Sequence, residues 1–338
     1  MGKFENLDRC YVATLMPYKP GTLDIDEEAL RKQLRYFMQP KFLDINGAII
    51  INPEAGEVFY TTREEKRRTV EIAMEECHDK VPVVAGICAT TTAEQVLHAK
   101  DAKELGVDGL FLMPPLGSGD VTGAWNPSKY PHYFSDMIKE IVDATDLPAI
   151  IHPTGTLQFP WGVGLPASAV RDICLAVPQI IGWKMTYAYD GWRIAAKTLR
   201  SLPRHVAVLA APGYLFHENL ANDEFDGTVS GSFAYAMEAM ADHITAWKSG
   251  DPLKACEIWQ KGLSDLQMYV YGDFSRLHIR YKVAAWLRGL MPEPFMRPPM
   301  PKPTQEEART LRTLLGECGL SLIDEKDMNP VMAKLLPA

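Results

Sequence analysis

Short apolar runs recur along the whole chain and alternate with longer segments of mixed polarity. Eight of these runs predict β-strands, because they are four to seven residues long, rich in Val, Ile and Ala, and bounded by turn-forming residues. The predicted strands cover residues 10–16, 48–52, 82–87, 110–113, 148–152, 180–185, 206–211 and 227–230.

Most of the intervening segments carry apolar residues every three or four positions, as amphipathic helices do. One of them opens on Thr62 with Glu65 three residues later, which predicts a capping box at a helix N-terminus. The predicted helices between strands cover residues 25–38, 62–78, 92–105, 127–144, 166–176 and 189–201, with a short one at 217–221.

Eight strands that alternate with helices predict an α/β fold of the closed (β/α)8 TIM-barrel type, since such units form parallel sheets. An open, doubly wound sheet is the alternative. Beyond residue 231 the pattern becomes helical, at 232–249, 252–271, 275–290 and 304–318. We therefore predict a barrel domain over residues 1–231. Residues 232–338 would supply the last helix of the barrel and a C-terminal helical extension.

In such barrels the active site lies at the C-terminal ends of the strands. Lys184 lies near that end of the sixth predicted strand, and strict alternation places it on one face with Ile180 and Gly182. The same alternation turns His152 and Asn52 inward at this rim. A lysine that reaches solvent from a strand end is the simpler alternative.

Composition narrows the possible functions. Hydrophobic residues make up 47% and charged residues 23%, as in ordinary globular proteins, and the net charge of −8 argues against nucleic-acid or anionic-membrane partners. The six cysteines are scattered without a C-x-x-C pair, which predicts reduced thiols, no zinc site and a cytoplasmic location. Neither a phosphate-binding nor a dinucleotide-binding motif is present, so no cofactor and no metal are predicted.

A lysine held in an apolar setting is suited to Schiff-base chemistry, because desolvation disfavours the ammonium and leaves a nucleophilic amine. The amine attacks a ketone, and the resulting iminium withdraws electrons from the adjacent carbon. Breaking or forming the next bond then needs a proton shuttle, usually a phenol or an imidazole.

The order of motifs resembles the dihydrodipicolinate synthase / N-acetylneuraminate lyase superfamily of class I aldolases. The resemblance runs from about residue 11 to residue 319. Its markers are Gly56-Glu57 before the helix start at 62–66, the strands at 82–86 and 146–150, Ile181-Gly-Trp-Lys184, Gly227-Thr-Val-Ser-Gly231, Lys282 and Arg297-Pro-Pro-Met300.

By this resemblance Lys184 is the Schiff-base lysine, and His152 stands where the family usually has a tyrosine. His152 is therefore the candidate acid/base, with Tyr187 or Tyr214 as the alternatives. The family's threonine motif after the second strand is replaced by Pro53-Glu-Ala-Gly-Glu57. The residues expected to line the substrate pocket are Ala55, Gly56, Thr228, Val229, Ser230 and Tyr187.

The predicted function is a cofactor-independent lyase that acts on a pyruvate-like 2-oxo acid, with an aldehyde as second partner. Within the family, the pattern of the chain resembles the hydratase-aldolases more than the lysine-biosynthesis synthase. The alternatives are a dehydratase of a 2-keto-3-deoxy sugar acid and a non-catalytic binding protein that kept the fold. The resemblance also implies a homotetramer.

Overall fold

Eight parallel strands close into a barrel in the computed structural model, which describes residues 8–114, 126, 129–153 and 164–337. Each strand pairs with the next along the chain, and β8 pairs with β1. This confirms the predicted (β/α)8 barrel and excludes the open sheet. The strands are β1 Cys10–Ala13, β2 Gly47–Ile51, β3 Val83–Ile87, β4 Gly109–Leu112, β5 Ala149–Ile151, β6 Ile180–Met185, β7 Ala207–Ala210 and β8 Gly227–Ser230.

Helices cover the outside of the barrel. The capping box predicted at Thr62 is present, with the Thr62 hydroxyl accepting from the Glu65 amide and the Glu65 carboxylate accepting from the Thr62 amide. The barrel helices are α1 Glu27–Phe37, α2 Pro40–Asp44, α3 Arg63–Cys77, α4 Thr92–Glu104, α5 His132–Thr145, α6 Ala167–Ala176, α7 Tyr189–Arg200 and α8 Phe216–Ala221.

Further helices follow β8 in a C-terminal helical segment, residues 232–337. They are α9 Phe233–Lys248, α10 Pro252–Ile258, α11 Ser264–Tyr271, α12 Leu277–Leu287, α13 Gln305–Glu317 and α14 Glu325–Met332. The single helix predicted over 252–271 is divided by a π-helical turn at Trp259–Leu263, in which Gly262 has φ +111°. Helix α14 was not predicted from the sequence.

Two apolar clusters form the core. The inner cluster fills the barrel with side chains such as Tyr11, Ile50, Phe111 and Leu209. The outer cluster lies between the strands and the helices. Alternation along each strand divides the side chains between the two, as expected for a (β/α)8 barrel.

The register between β5 and β6 shifts by one residue, because Ala149 pairs with Ile180 but Ile150 pairs with Gly182. Ile180 consequently packs in the outer cluster and Ile181 against the inner one. The prediction that Ile180 shares the inward face of Lys184 was wrong for this reason. After the irregularity, Trp183 and Met185 face outward, in agreement with the predicted alternation around Lys184.

No helix in the described ranges is both long enough and apolar enough to span a membrane.

Candidate active site

Lys184 lies at the C-terminal end of β6, with only 7% of its side chain exposed. Its Nζ donates to Glu54 Oε1 and lies 5.4 Å from the centre of the Phe111 ring. Burial lowers the pKa of Lys184, and the negative charge of Glu54 raises it only in part. The ammonium therefore gives up its proton more readily than an exposed lysine would.

Glu54 belongs to a single 3-10 turn, Glu54–Gly56, directly after β2. Burial raises the pKa of its carboxyl group, but the positive charge of Lys184 and the contact with the His152 side chain outweigh that effect and hold the pKa well below the usual value. Glu54 Oε2 is buried and accepts no hydrogen bond from the described residues. The other oxygen, Oε1, contacts Lys184 Nζ and is the one placed to take the proton of the lysine.

His152 follows β5, and its backbone amide extends the strand pairing by donating to Leu112 O at 2.7 Å. Its ring stacks on Phe111 with 5.7 Å between centroids. Nε2 lies 2.9 Å from Thr186 Oγ1, and Nδ1 lies 3.4 Å from Glu54 Oε1. Burial and the nearby Lys184 charge lower the His152 pKa, so its imidazole is neutral and able to accept a proton.

The three side chains meet at one end of the barrel, Lys184 from the end of β6, and Glu54 and His152 from the segments that follow β2 and β5. Glu54 and Lys184 line a cavity that continues under the C-terminal helical segment, and His152 lies behind Glu54, outside the described lining residues. The empty volume of the cavity, including the mouth, is about 340 Å³. The described residues that line it are Ala13, Glu54, Ala55, Lys184, Thr186, Ala211, Pro212, Val229, Gly231, Tyr271, Phe274, Leu277, His278 and Tyr281.

Two of the predicted pocket residues, Ala55 and Val229, line this cavity. Gly56 is buried beneath it, and its amide donates to Pro53 O at 3.0 Å. The hydroxyls of Thr228 and Ser230 point elsewhere, toward Tyr11 O at 3.3 Å and Ala211 O at 3.0 Å.

Neither tyrosine considered as an alternative proton donor is among the described lining residues. Tyr187 lies in the outer cluster, and its hydroxyl accepts from Trp183 Nε1 at 3.0 Å. Burial raises the Tyr187 pKa, so the phenol holds its proton. Tyr214 packs edge-on against Tyr271. Of the predicted proton shuttles, only His152 lies beside Lys184.

The prediction that Asn52 points inward was wrong. Asn52 has φ +55°, which ends the alternation of β2. Its side chain turns outward, where Nδ2 donates to Lys66 O at 3.0 Å and Oδ1 accepts from Thr69 at 2.8 Å. The inward position is taken instead by Glu54, which the sequence analysis did not single out. The sequence signal that could have identified Glu54 is an acidic residue in a short stretch of small residues directly after a barrel strand.

At the opposite end of the barrel, Asp8, His205 and Asp226 bring their ligand atoms within 4.8 Å of one another. Asp226 is already paired there with both terminal nitrogens of Arg200, at 2.5 and 2.7 Å. These groups are remote from Lys184 and form an ion-pair cluster of ordinary surface type.

The chain is similar to known proteins over most of its length. The family model described as "Dihydrodipicolinate synthetase family" matches residues 6–317. A DapA-like lyase of Thermofilum pendens, itself uncharacterized, is 24% identical over 89% of this chain and 94% of its own length. A 4-hydroxy-tetrahydrodipicolinate synthase of Methanopyrus kandleri is 24% identical over 91% of this chain and 95% of its own length.

Solved structures show the same fold. Dihydrodipicolinate synthase from Aquifex aeolicus superposes with a TM-score of 0.77 at 23% identity, over 94% of this chain and 99% of that one. YagE of Escherichia coli K12, a member of the dihydrodipicolinic acid synthase family solved in complex with pyruvate, gives a TM-score of 0.78 at 18% identity, over 93% and 99%. With a family model that covers nearly the whole chain, the protein belongs to the dihydrodipicolinate synthetase family of lyases and aldolases, as the resemblance predicted.

Proposed function

We propose that this protein is a Schiff-base lyase that releases pyruvate from, or joins it to, an aldehyde. The observation that carries the proposal is the buried contact between Lys184 Nζ and Glu54 Oε1 beside His152. Family membership supports the reaction class, and the pyruvate complex of the E. coli relative supports the substrate.

In the first step, Lys184 transfers a proton to Glu54 and becomes a neutral amine. The amine adds to the carbonyl carbon of the 2-oxo acid, and the resulting hydroxyl leaves as water with the proton that Glu54 returns. The products are an iminium on Lys184 and a Glu54 carboxylate beside it, so charge and protons balance. While Glu54 holds the proton it is neutral, and it does not repel the carboxylate of the substrate.

In the second step, neutral His152 accepts the proton of the hydroxyl group on the substrate carbon that becomes the aldehyde. The carbon–carbon bond breaks, the aldehyde leaves, and the bonding electrons form an enamine with the iminium. His152 then returns its proton to the enamine carbon, and hydrolysis frees pyruvate. Thr186, which is 2.9 Å from His152 Nε2, orients the imidazole for both transfers.

Borohydride reduction in the presence of pyruvate, followed by peptide mass spectrometry, tests this proposal. We expect one reduced pyruvyl adduct on Lys184. Lys184→Arg should abolish it, whereas Lys66→Arg should not, although the Lys66 pKa is also lowered by burial. His152→Ala should retain the adduct and lose aldol turnover by roughly a hundredfold or more. Absence of any adduct on Lys184 would refute the mechanism.

A further inference from the structure

A second histidine, His278, lies on the wall that the C-terminal helical segment contributes to the Lys184 cavity. It is the second residue of α12 and lines the cavity together with Glu54 and Lys184. Its ring packs against the Tyr281 ring, with 5.8 Å between the centroids. The residue is half-buried, as expected for a side chain that is packed on one side and faces a cavity on the other. The reaction steps described above make no use of it.

The ring nitrogens of His278 are not hydrogen-bonded to any other residue that the structure describes. The two phenols on the same wall differ in this respect. Tyr281 donates its hydroxyl proton to Tyr271 at 2.6 Å, and Tyr271 donates to the Ala211 carbonyl at 3.0 Å. Because both hydroxyl protons are already used within the protein, His278 is the residue of this group that keeps an N–H for a bound ligand.

His152 reaches the reacting groups from the barrel instead. Its Nε2 lies 2.9 Å from Thr186 Oγ1 and its Nδ1 lies 3.4 Å from Glu54 Oε1, so a substrate meets this ring beside Glu54 and from one side. An oxygen atom on the substrate has more than one lone pair. The lone pair that points away from His152 must be satisfied from the opposite wall, to which His278 belongs.

The His278 imidazole is neutral near pH 7. Burial lowers its pKa to about 4, with a smaller rise from Glu54 and a smaller lowering from Lys184. The first turn of α12 also favours the neutral form, because the N-terminal end of a helix dipole disfavours a positive charge. A neutral imidazole in such a position donates a hydrogen bond without giving up its proton. His278 is therefore suited to stabilise charge rather than to act as a second acid.

We propose that His278 is a further catalytic residue, which donates a hydrogen bond to the oxygen on the aldehyde-derived carbon of the substrate. This role rests on the proposed function. During cleavage, the oxygen gives its proton to His152 and carries negative charge as the carbon–carbon bond breaks, and the His278 N–H stabilises that charge. In the reverse direction, the same N–H polarises the aldehyde carbonyl that the enamine attacks. His278 keeps its proton throughout, so no covalent bond to it forms or breaks.

Two rates measured on the same variant test the proposal. Exchange of the methyl hydrogens of pyruvate in heavy water, followed by proton NMR, needs the enamine on Lys184 but no aldehyde. Condensation of pyruvate with acetaldehyde or benzaldehyde needs both. His278→Leu should retain the exchange rate of the parent and lose roughly a hundredfold to a thousandfold in kcat for condensation, as removal of an oxyanion donor does. An equal loss of both rates, or an unchanged condensation rate, would overturn the proposal.

His278→Asn and His278→Gln each place an amide N–H near the position of one ring nitrogen. At least one of them should condense pyruvate about tenfold faster than His278→Leu, because a single hydrogen bond is regained. The matched control is His205→Leu, at a side chain that is 47% exposed at the opposite end of the barrel, and it should change neither rate. Thermal melts of all variants separate a lost hydrogen bond from a lost fold. If neither amide variant recovers any rate, His278 does not act as a donor.

The vibrational spectrum of a bound aldehyde distinguishes this role from the proposed function. Infrared difference spectra of benzaldehyde, isotope-labelled at its carbonyl carbon and added to the protein alone, require neither pyruvate nor an iminium. A hydrogen bond to the carbonyl oxygen lowers the C=O stretching frequency, so we expect a lower frequency in the parent than in His278→Leu. Equal frequencies would refute the role of His278, whereas the absence of a reduced pyruvate adduct on Lys184 would refute the proposed function.

Discussion

The buried pair of Lys184 and Glu54 defines the chemistry of this site at the scale of single residues. Burial makes the ammonium easier to deprotonate, and Glu54 is both its counter-ion and the nearest proton acceptor. Burial and the carboxylate shift the Lys184 pKa in opposite directions, because burial disfavours the ammonium and the carboxylate stabilises it. Removing the carboxylate should therefore separate the two roles.

Glu54→Gln retains the shape of the side chain but removes its charge. Without the carboxylate, nothing offsets the burial that lowers the Lys184 pKa, so we expect borohydride trapping to reach half its maximum at a lower pH than in the parent. Turnover should nonetheless fall by roughly a hundredfold or more, because the proton acceptor is lost. The measurement is a pH profile of trapping beside one of kcat.

Glu28→Gln is a suitable control, because the side chain of Glu28 is 79% exposed and is not among the described residues that line the Lys184 cavity. It should leave both profiles unchanged. A trapping profile in Glu54→Gln that stays in place or moves to higher pH would show that Glu54 does not act on Lys184 electrostatically.

Residue-level prediction from the sequence succeeded where alternation held and failed where the backbone left it. Lys184 and His152 are brought together at the rim, as their strands predicted. Asn52 is turned outward by a positive φ, a local conformation that alternation cannot foresee. The turn at Asn52 is what brings Glu54 to the rim. Its contact with Lys184, 130 residues further along the chain, therefore could not be predicted from the sequence around either residue alone.

Among elements, the eight strands were predictable because each is a short apolar run between turn signals. The one-residue shift between β5 and β6 was not, since it depends on pairing with a neighbouring strand. Similarly, the periodicity over 252–271 indicated one continuous helix. The turn at Gly262 packs against Glu317 and Cys318, which are distant in sequence.

The placement of α12 over the barrel depends on a glycine at the end of β8. A Cβ added to Gly231 would lie 2.3 Å from Cε2 of Tyr281, which forms part of the cavity wall. We expect Gly231→Ala to displace the Tyr281 ring and to lower the free energy of unfolding by about 1–3 kcal/mol, as overpacking does. Urea denaturation followed by circular dichroism measures this change.

Gly316 on α13 provides the opposite case, because a Cβ there meets nothing within 4 Å. Gly316→Ala should be neutral or stabilising by up to about 1 kcal/mol, since alanine favours the helix. If both alanine variants were equally stable, the contact between Gly231 and Tyr281 would not constrain the position of α12.

On the scale of the whole molecule, the C-terminal helical segment is tied to the loop that carries Glu54. Lys282 on α12 is 1% exposed, and its Nζ donates to Glu57, three residues after Glu54, and to Phe295 O at 2.9 Å. Glu57 also accepts from the Arg297 amide at 2.9 Å. Lys282 and Arg297 belong to family motifs that are recognisable in the sequence, but the Glu57 carboxylate that both contact lies more than 200 residues away and was visible only in the structure.

A double-mutant cycle on Lys282 and Glu57 tests how strongly the two parts are connected. Lys282→Met leaves the Glu57 carboxylate buried without its cation, and Glu57→Gln leaves the ammonium without its anion. Each single change should therefore cost about 3–5 kcal/mol in the free energy of unfolding. The double variant buries neither charge and should cost clearly less than the sum of the two.

Lys254→Met is the control, because it removes a half-exposed pair with Glu257 and should change the free energy of unfolding by only about 0.5 kcal/mol. Additive costs in the cycle would mean that the two residues stabilise the protein independently, and the C-terminal helical segment would then hold the Glu54 loop through packing alone.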